Sequence, residues 1–376
     1  MRVLILGGGV IGASIAYWLA ARGAEPVVVE RSAIACAASG RSGGFLALDW
    51  CDGTPLMHLA RRSFALHAEL AEDFGGGDWG YRRVTTYGGV VGRPSSAWAP
   101  GRGAWHRWVS PDVAIGGQLG SVSTTAQVQP AAFTAAMMRA AQERGAKLRL
   151  GRAATGLLRR GADVVGVDLD GEMLEGEAVV IAIGPWSVVA ARWLPLPPVF
   201  GLKGHSLVFE TGAAIPPEAL FLEYAEATTG STLSPEVFPR ADGTTYVCAI
   251  SSDAPLPHDP DLVVPDAGAI DRLKALCERV SPVLARSRVL ASQACYRPAT
   301  RDGLPLIGAV PGARGVYVAT GHGVWGILNA PATGEAVAEL ILDGAARTID
   351  LSPFDPARLA VQESGHARAV TRTFRG

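Results

Sequence analysis

Three glycines, Gly7, Gly9 and Gly12, follow a short apolar run at the start of the chain. The run, residues 3–6, contains branched residues and no polar ones, which is typical of a parallel strand buried on both faces. Apolar residues then recur with helical spacing over residues 10–22, and a second apolar run follows that predicted helix. The order of elements is therefore strand, tight turn, helix and strand.

The three glycines have the spacing of a dinucleotide-binding turn. Gly7 permits the sharp turn, Gly9 lets the backbone approach a pyrophosphate, and Gly12 lets helix and strand pack closely. Glu30 ends the second strand, where its carboxylate can accept hydrogen bonds from a ribose and disfavours a 2′-phosphate. The pattern predicts a site for FAD or NAD rather than NADP. A glycine-rich structural turn is the alternative.

Two later segments also end an apolar strand in small residues. One covers 178–184, and the other covers 316–319 and is followed by a glycine turn and a helix over 326–342. Because ligands of parallel sheets bind beyond the carboxyl ends of the strands, we expect these segments to converge on one ligand. The loop after Glu30 is rich in small residues and can lie against an extended cofactor, with a flexible surface loop as the alternative.

The overall composition limits the class of protein. The 376 residues exceed the usual size of a single core, so we expect two domains. A net charge of −1 gives no electrostatic basis for binding nucleic acid or an acidic membrane. The five cysteines form no Cys-x-x-Cys pair, which argues against a zinc site, and no apolar stretch is long enough for a membrane helix. We expect a cytoplasmic protein that is a monomer or a small homo-oligomer.

Five further segments, together with the glycine motif, carry a resemblance to a known family. They are AASGRSGG, VQPAAFTAAMMRAAQERGA, VVIAIGPWS, CYRPATRDGLPLIG and GHGVWGILNAPATG. With these segments the chain resembles the D-amino-acid oxidase/glycine oxidase/sarcosine oxidase superfamily of FAD-dependent oxidoreductases. The resemblance extends from the first residues to about residue 345.

The resemblance implies an α/β fold with two domains. One is an FAD-binding, Rossmann-like domain of the glutathione-reductase type, and the other is a mainly antiparallel sheet that covers the flavin. The FAD-binding segments are expected at 1–80, 125–190 and 295–350. The substrate-domain segments are expected at 81–124 and 191–294, and 351–376 is expected to be a charged, partly disordered tail.

The resemblance also implies a cofactor and a reaction. FAD is expected to be bound noncovalently and to oxidise the C–N bond of an amino acid or related amine by accepting a hydride, which gives an imine. Oxygen or another acceptor would then remove the electrons. Two alternatives stay open. An NAD-linked dehydrogenase would need a second nucleotide site, and a non-catalytic FAD protein would bind a partner through Trp98, Trp105 and Trp108.

Four residues are candidates for contact with the substrate. In similar proteins the arginine of the RP motif holds the substrate carboxylate, and Arg297 matches it; an ion pair with Asp302 is the alternative. Relatives place a tyrosine where this chain has Glu236, which favours a second cationic group or a larger amine, unless Glu236 is a solvated loop acid. His322 and Trp325 match positions that approach the flavin ring or the substrate.

Two positions bear on the state of the flavin and on its reaction with oxygen. Cys295 lies seven residues before Asp302, where sarcosine oxidase-like proteins have a cysteine bonded to the flavin. A covalent link through Cys295 is therefore an alternative to noncovalent binding, and a buried strand cysteine is the other reading. The same proteins carry a lysine that helps oxygen react, and Val247 stands at the matching position. Oxidase activity therefore does not follow.

The remaining candidates are expected cofactor contacts. They belong to the glycine turn, the loop after the second strand, and the ends of the later strands. The full set of predicted cofactor contacts is Gly7, Gly9, Val10, Ile11, Gly12, Glu30, Arg31, Ser39, Gly40, Arg41, Ser42, Gly43, Gly44, Val128, Gly184, Trp186, Cys295, Gly321, His322, Gly323, Gly326 and Ile327.

Overall fold

A computed structural model describes residues 1–75, 78–92, 107–226 and 230–360. The strands are β1 (Arg2–Leu6), β2 (Glu25–Glu30), β3 (Phe45–Ala47), β4 (Arg82–Arg83), β5 (Thr85–Val91), β6 (Val113–Gly120), β7 (Thr125–Gln127), β8 (Lys147–Leu150), β9 (Gly156–Arg160), β10 (Asp163–Leu169), β11 (Glu172–Glu175), β12 (Ala178–Ile181), β13 (Phe200–Glu210), β14 (Glu218–Ala225), β15 (Thr232–Leu233), β16 (Glu236–Pro239), β17 (Thr244–Ser252), β18 (Arg288–Ala299), β19 (Leu306–Ala309) and β20 (Val316–Thr320). The helices are α1 (Val10–Ala21), α2 (Ala38–Arg41), α3 (Met57–Asp73), α4 (Pro130–Glu143), α5 (Ser187–Ala190), α6 (Ala269–Val280), α7 (Pro282–Arg286) and α8 (Gly326–Asp343).

The first large sheet has six strands in the order β19-β20-β12-β1-β2-β8. All neighbours pair in parallel except β19, which runs antiparallel to β20. The strands come from three separate parts of the chain. Because β1, β2, β12 and β20 run parallel, their carboxyl ends meet at one edge of the sheet. The predicted strand, turn, helix and strand at the start of the chain are confirmed, with β1, α1 and β2 in that order.

Both faces of this sheet are covered, as the apolar strands require. Val3 and Ile5 of β1 pack into a core with the helices α1, α3, α4 and α8. Leu4 and Leu6 face the other way and pack against the small sheet of β9, β10 and β11. This second layer covers that face of the parallel sheet.

The second large sheet has eight strands, with the order β18-β13-β17-β16-β14-β5-β6 and β15 paired to β14. Its neighbours are antiparallel except for the pair β14 and β5. One face packs against α6 and α7, where Val247 and Leu207 are fully buried with Leu273. The predicted α/β fold with a second, mainly antiparallel sheet is confirmed.

The structure bears on the predicted domain boundary at residue 295 and on the tryptophans that were candidates for binding a partner. The strand β18 runs through the predicted boundary at residue 295, so that boundary would divide a strand of the second sheet. Trp108 is buried and donates to Glu218 Oε2 at 2.8 Å, so it offers no exposed surface to a partner. Trp98 and Trp105 lie outside the described residues, and the domain boundaries stay predictions.

The last described residues pack onto the first sheet instead of forming the start of a disordered tail. Phe354 is buried, and Arg358 pairs with Asp302 at 2.8 Å. The rest of the expected tail, residues 361–376, lies outside the described residues. None of the helices in the described ranges has the length and apolarity needed to cross a bilayer.

Candidate active site

One cavity of about 560 Å³ extends between the two large sheets. Its first wall is the carboxyl edge of β1, β2, β12 and β20, and its second wall is the free face of β16, β17 and β18. The predicted candidates that line it are Gly7, Gly9, Val10, Ile11, Glu30, Arg31, Ser39, Ser42, Gly43, Gly184, Trp186, Glu236, Cys295, Arg297, His322, Gly323, Gly326 and Ile327. Residues from distant parts of the sequence thus line a single space.

The turn between β1 and α1 brings its backbone to the cavity. Gly7 has φ of 109°, and an added Cβ would stand 2.4 Å from the carbonyl oxygen of Ala182, so only glycine fits the turn. The amide of Val10, at the start of α1, is bound by Ser39 Oγ at 2.9 Å. Gly9, Val10 and Ile11, at the N-terminus of α1, line the cavity, so the positive end of the helix dipole faces it, which suits a pyrophosphate.

Glu30 is held in place by the backbone around it. Its Oε2 accepts from the amide of Gly8 at 2.7 Å, and its Oε1 accepts from the amide of Ser32 at 2.8 Å. The side chain is buried and lines the cavity beside the glycine turn. A carboxylate fixed in this way has lone pairs left for ribose hydroxyl groups.

A connection between β17 and α6, residues 253–266, crosses the end of the cavity near Glu30; we call it the clasp. Arg31 binds the carbonyl of His258 at 3.0 Å and the carboxylate of Asp259 at 2.8 Å. Trp186 Nε1 donates to a carbonyl of the clasp at 2.9 Å. Because His258 also lines the cavity, the clasp joins the second sheet to the first above the space between them.

Arg297 lies on β18 with its guanidinium over the neighbouring strand. An added Cβ at Gly204 of β13 would stand 2.7 Å from Arg297 Nη2, which donates to Ser251 Oγ at 3.2 Å. Asp302 is engaged by Arg358 instead, so the alternative of an Arg297–Asp302 pair is wrong. Among the described residues, no carboxylate lies within ion-pair distance of Arg297.

Glu236 lies on β16, directly opposite Cys248 of β17, and lines the cavity. Cys248 Sγ donates to Glu236 Oε2 at 3.4 Å. Burial raises the pKa of the Glu236 carboxyl, while the bond from Cys248 and the charge of Arg297 oppose that rise. The alternative of a solvated loop acid is therefore wrong, because Glu236 belongs to a strand of the sheet.

Cys295 also lines the cavity, from β18. Burial raises the pKa of its thiol, and the positive charges of Arg297 and Arg41 oppose the rise. A raised pKa favours the protonated thiol, which is a weak nucleophile. Cys295 therefore lies at the cavity, but its surroundings favour the protonated thiol over the reactive thiolate.

His322 and Trp325 differ in where their side chains lie. His322 is buried in the wall, its Nε2 lies 3.1 Å from Thr333 Oγ1, and its Nδ1 has no hydrogen-bond partner among the described residues. Burial lowers the pKa of His322 to about 3, so the ring is neutral. Trp325 does not line the cavity; its ring lies 6.4 Å from that of Trp50 in an edge-to-face contact.

Six other predicted cofactor contacts do not line the cavity in the part of the chain that the structure describes. Gly12 packs against the carbonyl of Gly7, and Arg41 donates to backbone carbonyls of the clasp and of β18. Gly44 and Val128 pair with each other through a backbone bond of 3.0 Å. Gly40 packs against Ala35 and Gly321 packs against Thr300.

Sequence reasoning missed part of the lining. The missed residues come from the free face of β17, the segment before β9, the clasp and the region after α5. They include Tyr246, Cys248, Arg152, Thr155, Arg192, Trp193, His258 and Pro260. Tyr246 and Cys248 alternate with Val247, which is buried on the other face of β17, so the position matched to the oxygen-activating lysine does not line the cavity.

The residues present fit FAD. Gly9 and Gly43 line the cavity, and an added Cβ at Gly43 would stand 2.3 Å from the Phe238 ring, so a side chain there would clash with that ring. Ser42 Oγ and His322 Nδ1 are buried beside the cavity without a partner in the described part of the chain. A long cavity with a helix N-terminus, a fixed carboxylate and unpaired polar atoms matches an extended dinucleotide.

Comparison with known proteins decides the family. The model of the family "FAD dependent oxidoreductase" (DAO) matches residues 2–340. The chain belongs to this family. FAD is its cofactor and it is an enzyme, so the NAD-linked and non-catalytic alternatives are set aside.

Relatives cover nearly the whole chain. It is 29% identical to the putative oxidoreductase C1F5.03c of Schizosaccharomyces pombe over 94% of this chain and 97% of that protein. It is also 29% identical to the glycine oxidase of Geobacillus kaustophilus over 95% of this chain and 96% of that protein. A crystal structure of glycine oxidase from the same organism superposes with a TM-score of 0.76 at 26% identity, over 95% of this chain and 99% of that chain.

Proposed function

We propose that this DAO-family oxidoreductase oxidises the C–N bond of a small amino acid or related amine that carries a carboxylate. The observation that carries the proposal is Arg297, a guanidinium at the cavity whose recorded partner among the described residues is the hydroxyl of Ser251. A guanidinium offers two parallel N–H donors that match a carboxylate. The relatives named glycine oxidase have a name that indicates glycine as the substrate, and glycine carries both an amine and a carboxylate.

The residues of the chain bind and orient the substrate. FAD, when bound, supplies an acceptor for the hydride on the carbon next to nitrogen. Arg297 fixes the carboxylate, which restricts the orientations of the adjacent carbon and lowers the entropic part of the barrier. The product is an imine, which water converts to a carbonyl compound, and oxygen or another acceptor removes the electrons.

Two titratable side chains of the cavity wall, Tyr246 and His322, are uncharged near neutral pH. Burial raises the pKa of Tyr246 well above its usual value and keeps His322 neutral. These groups offer hydrogen bonds without competing charge, so the guanidinium is the cation available to a carboxylate at this end of the described cavity. This arrangement favours an anionic substrate group over a neutral one.

The proposal is tested with the purified FAD-loaded protein under anaerobic conditions. Glycine, N-methylglycine, D-alanine and NADH are added separately, and the flavin absorbance is followed. Bleaching by at least one amine is the expected result. Bleaching by NADH alone, or by none of the four, would contradict the proposal.

A further inference from the structure

We propose that Glu236 accepts a proton from the substrate ammonium group, and that the substrate is a zwitterion held between Glu236 and Arg297. This inference rests on the proposed function, which supplies an amine and a carboxylate. It assigns a catalytic role to a carboxyl group that lies in the same cavity as the guanidinium.

The position of Glu236 is fixed by the register of the second sheet. On one side it pairs with Cys248 of β17, and on the other with Phe221 of β14. Arg297 Nη2 reaches Ser251, which lies three residues beyond Cys248 on the same strand. The carboxyl and the guanidinium therefore contact one strand at two places, and both residues line the cavity.

Glu236 and Arg297 line the same cavity, but they do not form an ion pair with each other. The charge of Arg297 acts on Glu236, yet the ion pairs of the described residues do not include a contact between them. A cation and a carboxyl group that share a cavity without pairing leave a space with opposite electrostatic ends. An α-amino acid zwitterion has the complementary pattern, with its carboxylate for Arg297 and its ammonium for Glu236.

The second cavity acid differs from Glu236. Both oxygens of Glu30 accept backbone amides, at 2.7 and 2.8 Å. The hydrogen bond recorded for Glu236 in the described structure is the one from Cys248 to Oε2. Oε1 is thus left for a ligand, which makes Glu236 the carboxyl group suited to bind an ammonium.

The other titratable groups around Glu236 cannot take a proton from an ammonium near neutral pH. Burial raises the pKa of Tyr246, Cys248 and Cys295, so all three already carry their protons. Arg297 is a cation, and Phe221 on the remaining side has no titratable group. His322 in the wall has a pKa lowered to about 3. Glu236 is therefore the base at this end of the described cavity.

The step is a proton transfer without a change of oxidation state. One N–H bond of the substrate ammonium breaks, its electron pair stays on nitrogen, and an O–H bond forms at Glu236. The neutral amine then has the lone pair that supports loss of a hydride from the adjacent carbon. Burial of Glu236 raises its proton affinity and so favours the transfer.

Binding measurements separate this role from a structural one. Under anaerobic conditions, the saturation of flavin reduction gives the apparent Kd of glycine and N-methylglycine, and flavin difference spectra give the Kd of the amine-free probes acetate and methoxyacetate. We expect Glu236→Gln to weaken the two amines at least tenfold and to leave the two carboxylates within about twofold. Glu223→Gln, an exposed position on the neighbouring β14, is the matched control and should change none of the four.

The pH dependence of flavin reduction by an amine is the second readout. In Glu236→Gln the rate should rise with pH towards the pKa of the free ammonium, whereas Glu236→Asp should restore the wild-type profile in part. Equal loss of amines and carboxylates, no preference for amines in the wild-type protein, or an unchanged pH profile would each overturn the inference. Amine oxidation that continues with an unchanged profile in Glu236→Gln would still leave the proposed function standing.

Discussion

The guanidinium of Arg297 lies directly against the backbone of Gly204, and an added Cβ would stand 2.7 Å from Arg297 Nη2. The guanidinium can take this position because the neighbouring strand has a glycine, and therefore no side chain, at residue 204. Gly204 has no positive φ, so alanine is free of backbone strain there. The contact concerns the far end of a flexible side chain, which can move aside.

We therefore expect Gly204→Ala to displace the guanidinium while preserving the fold. Acetate binding, followed by the flavin difference spectrum, should weaken about tenfold, which corresponds to about 1.4 kcal/mol. Thermal unfolding of the FAD-loaded protein should stay within a few degrees of wild type, roughly the effect of less than 1 kcal/mol. Unchanged acetate binding would contradict the claim that Arg297 binds the carboxylate.

The first half of the site could be predicted because its signals are local. The glycines of the β1–α1 turn and Glu30 stand at fixed spacings, and each spacing has a mechanical cause in the turn. The later strands that end in small residues were also predictable from their apolar runs. The structure brings all these segments to one edge of the parallel sheet.

The second half depends on tertiary contacts that no spacing reveals. In the strand β17, alternation shows that Tyr246 and Cys248 share a face but not which face meets the cavity. Val247, which stands at the position matched to the oxygen-activating lysine, packs against α6 on the opposite face. The clasp is a connection without periodicity, and its place is set by bonds from Arg31 and Trp186 that are distant in sequence.

The clasp predicts a kinetic effect on cofactor release. Arg31→Ala removes the bonds to His258 and Asp259, so the end of the cavity beside Glu30 should open more often. FAD dissociation, followed by the rise in flavin fluorescence, should accelerate about two- to fivefold, the scale of one exposed ion pair. Arg61→Ala, which removes an exposed ion pair with Asp52 elsewhere, should leave the rate unchanged. Equal rates in both variants would contradict a retaining role of the clasp.

The raised pKa of the Cys295 thiol predicts that FAD is held without a covalent bond. Precipitation of the purified protein with acid should leave a colourless pellet and a yellow supernatant. Flavin that stays in the pellet of the wild-type protein and is released from Cys295→Ser would contradict this expectation.

Buried His67 predicts a loss of stability in mild acid. Burial lowers the pKa of His67 to about 4 in the folded protein, against 6.5 for an unperturbed histidine. The unfolded state therefore binds more protons between these values, and the free energy of unfolding falls as the pH drops from 6.5 to 4, by about 1.4 kcal/mol per pH unit. The slope should decrease in His67→Gln when urea unfolding is measured at pH 7, 6 and 5. An equal slope in both proteins would refute this origin.

The central claim is that Arg297 holds the carboxylate of an amine whose electrons pass to bound FAD. The most direct measurement is anaerobic reduction of the flavin over a concentration series of the best amine of the panel, in wild type and in Arg297→Met. The account predicts saturable reduction in the wild type and an apparent Kd at least a hundredfold higher in the variant, with the FAD content unchanged. Equal apparent Kd values in the two proteins would contradict it.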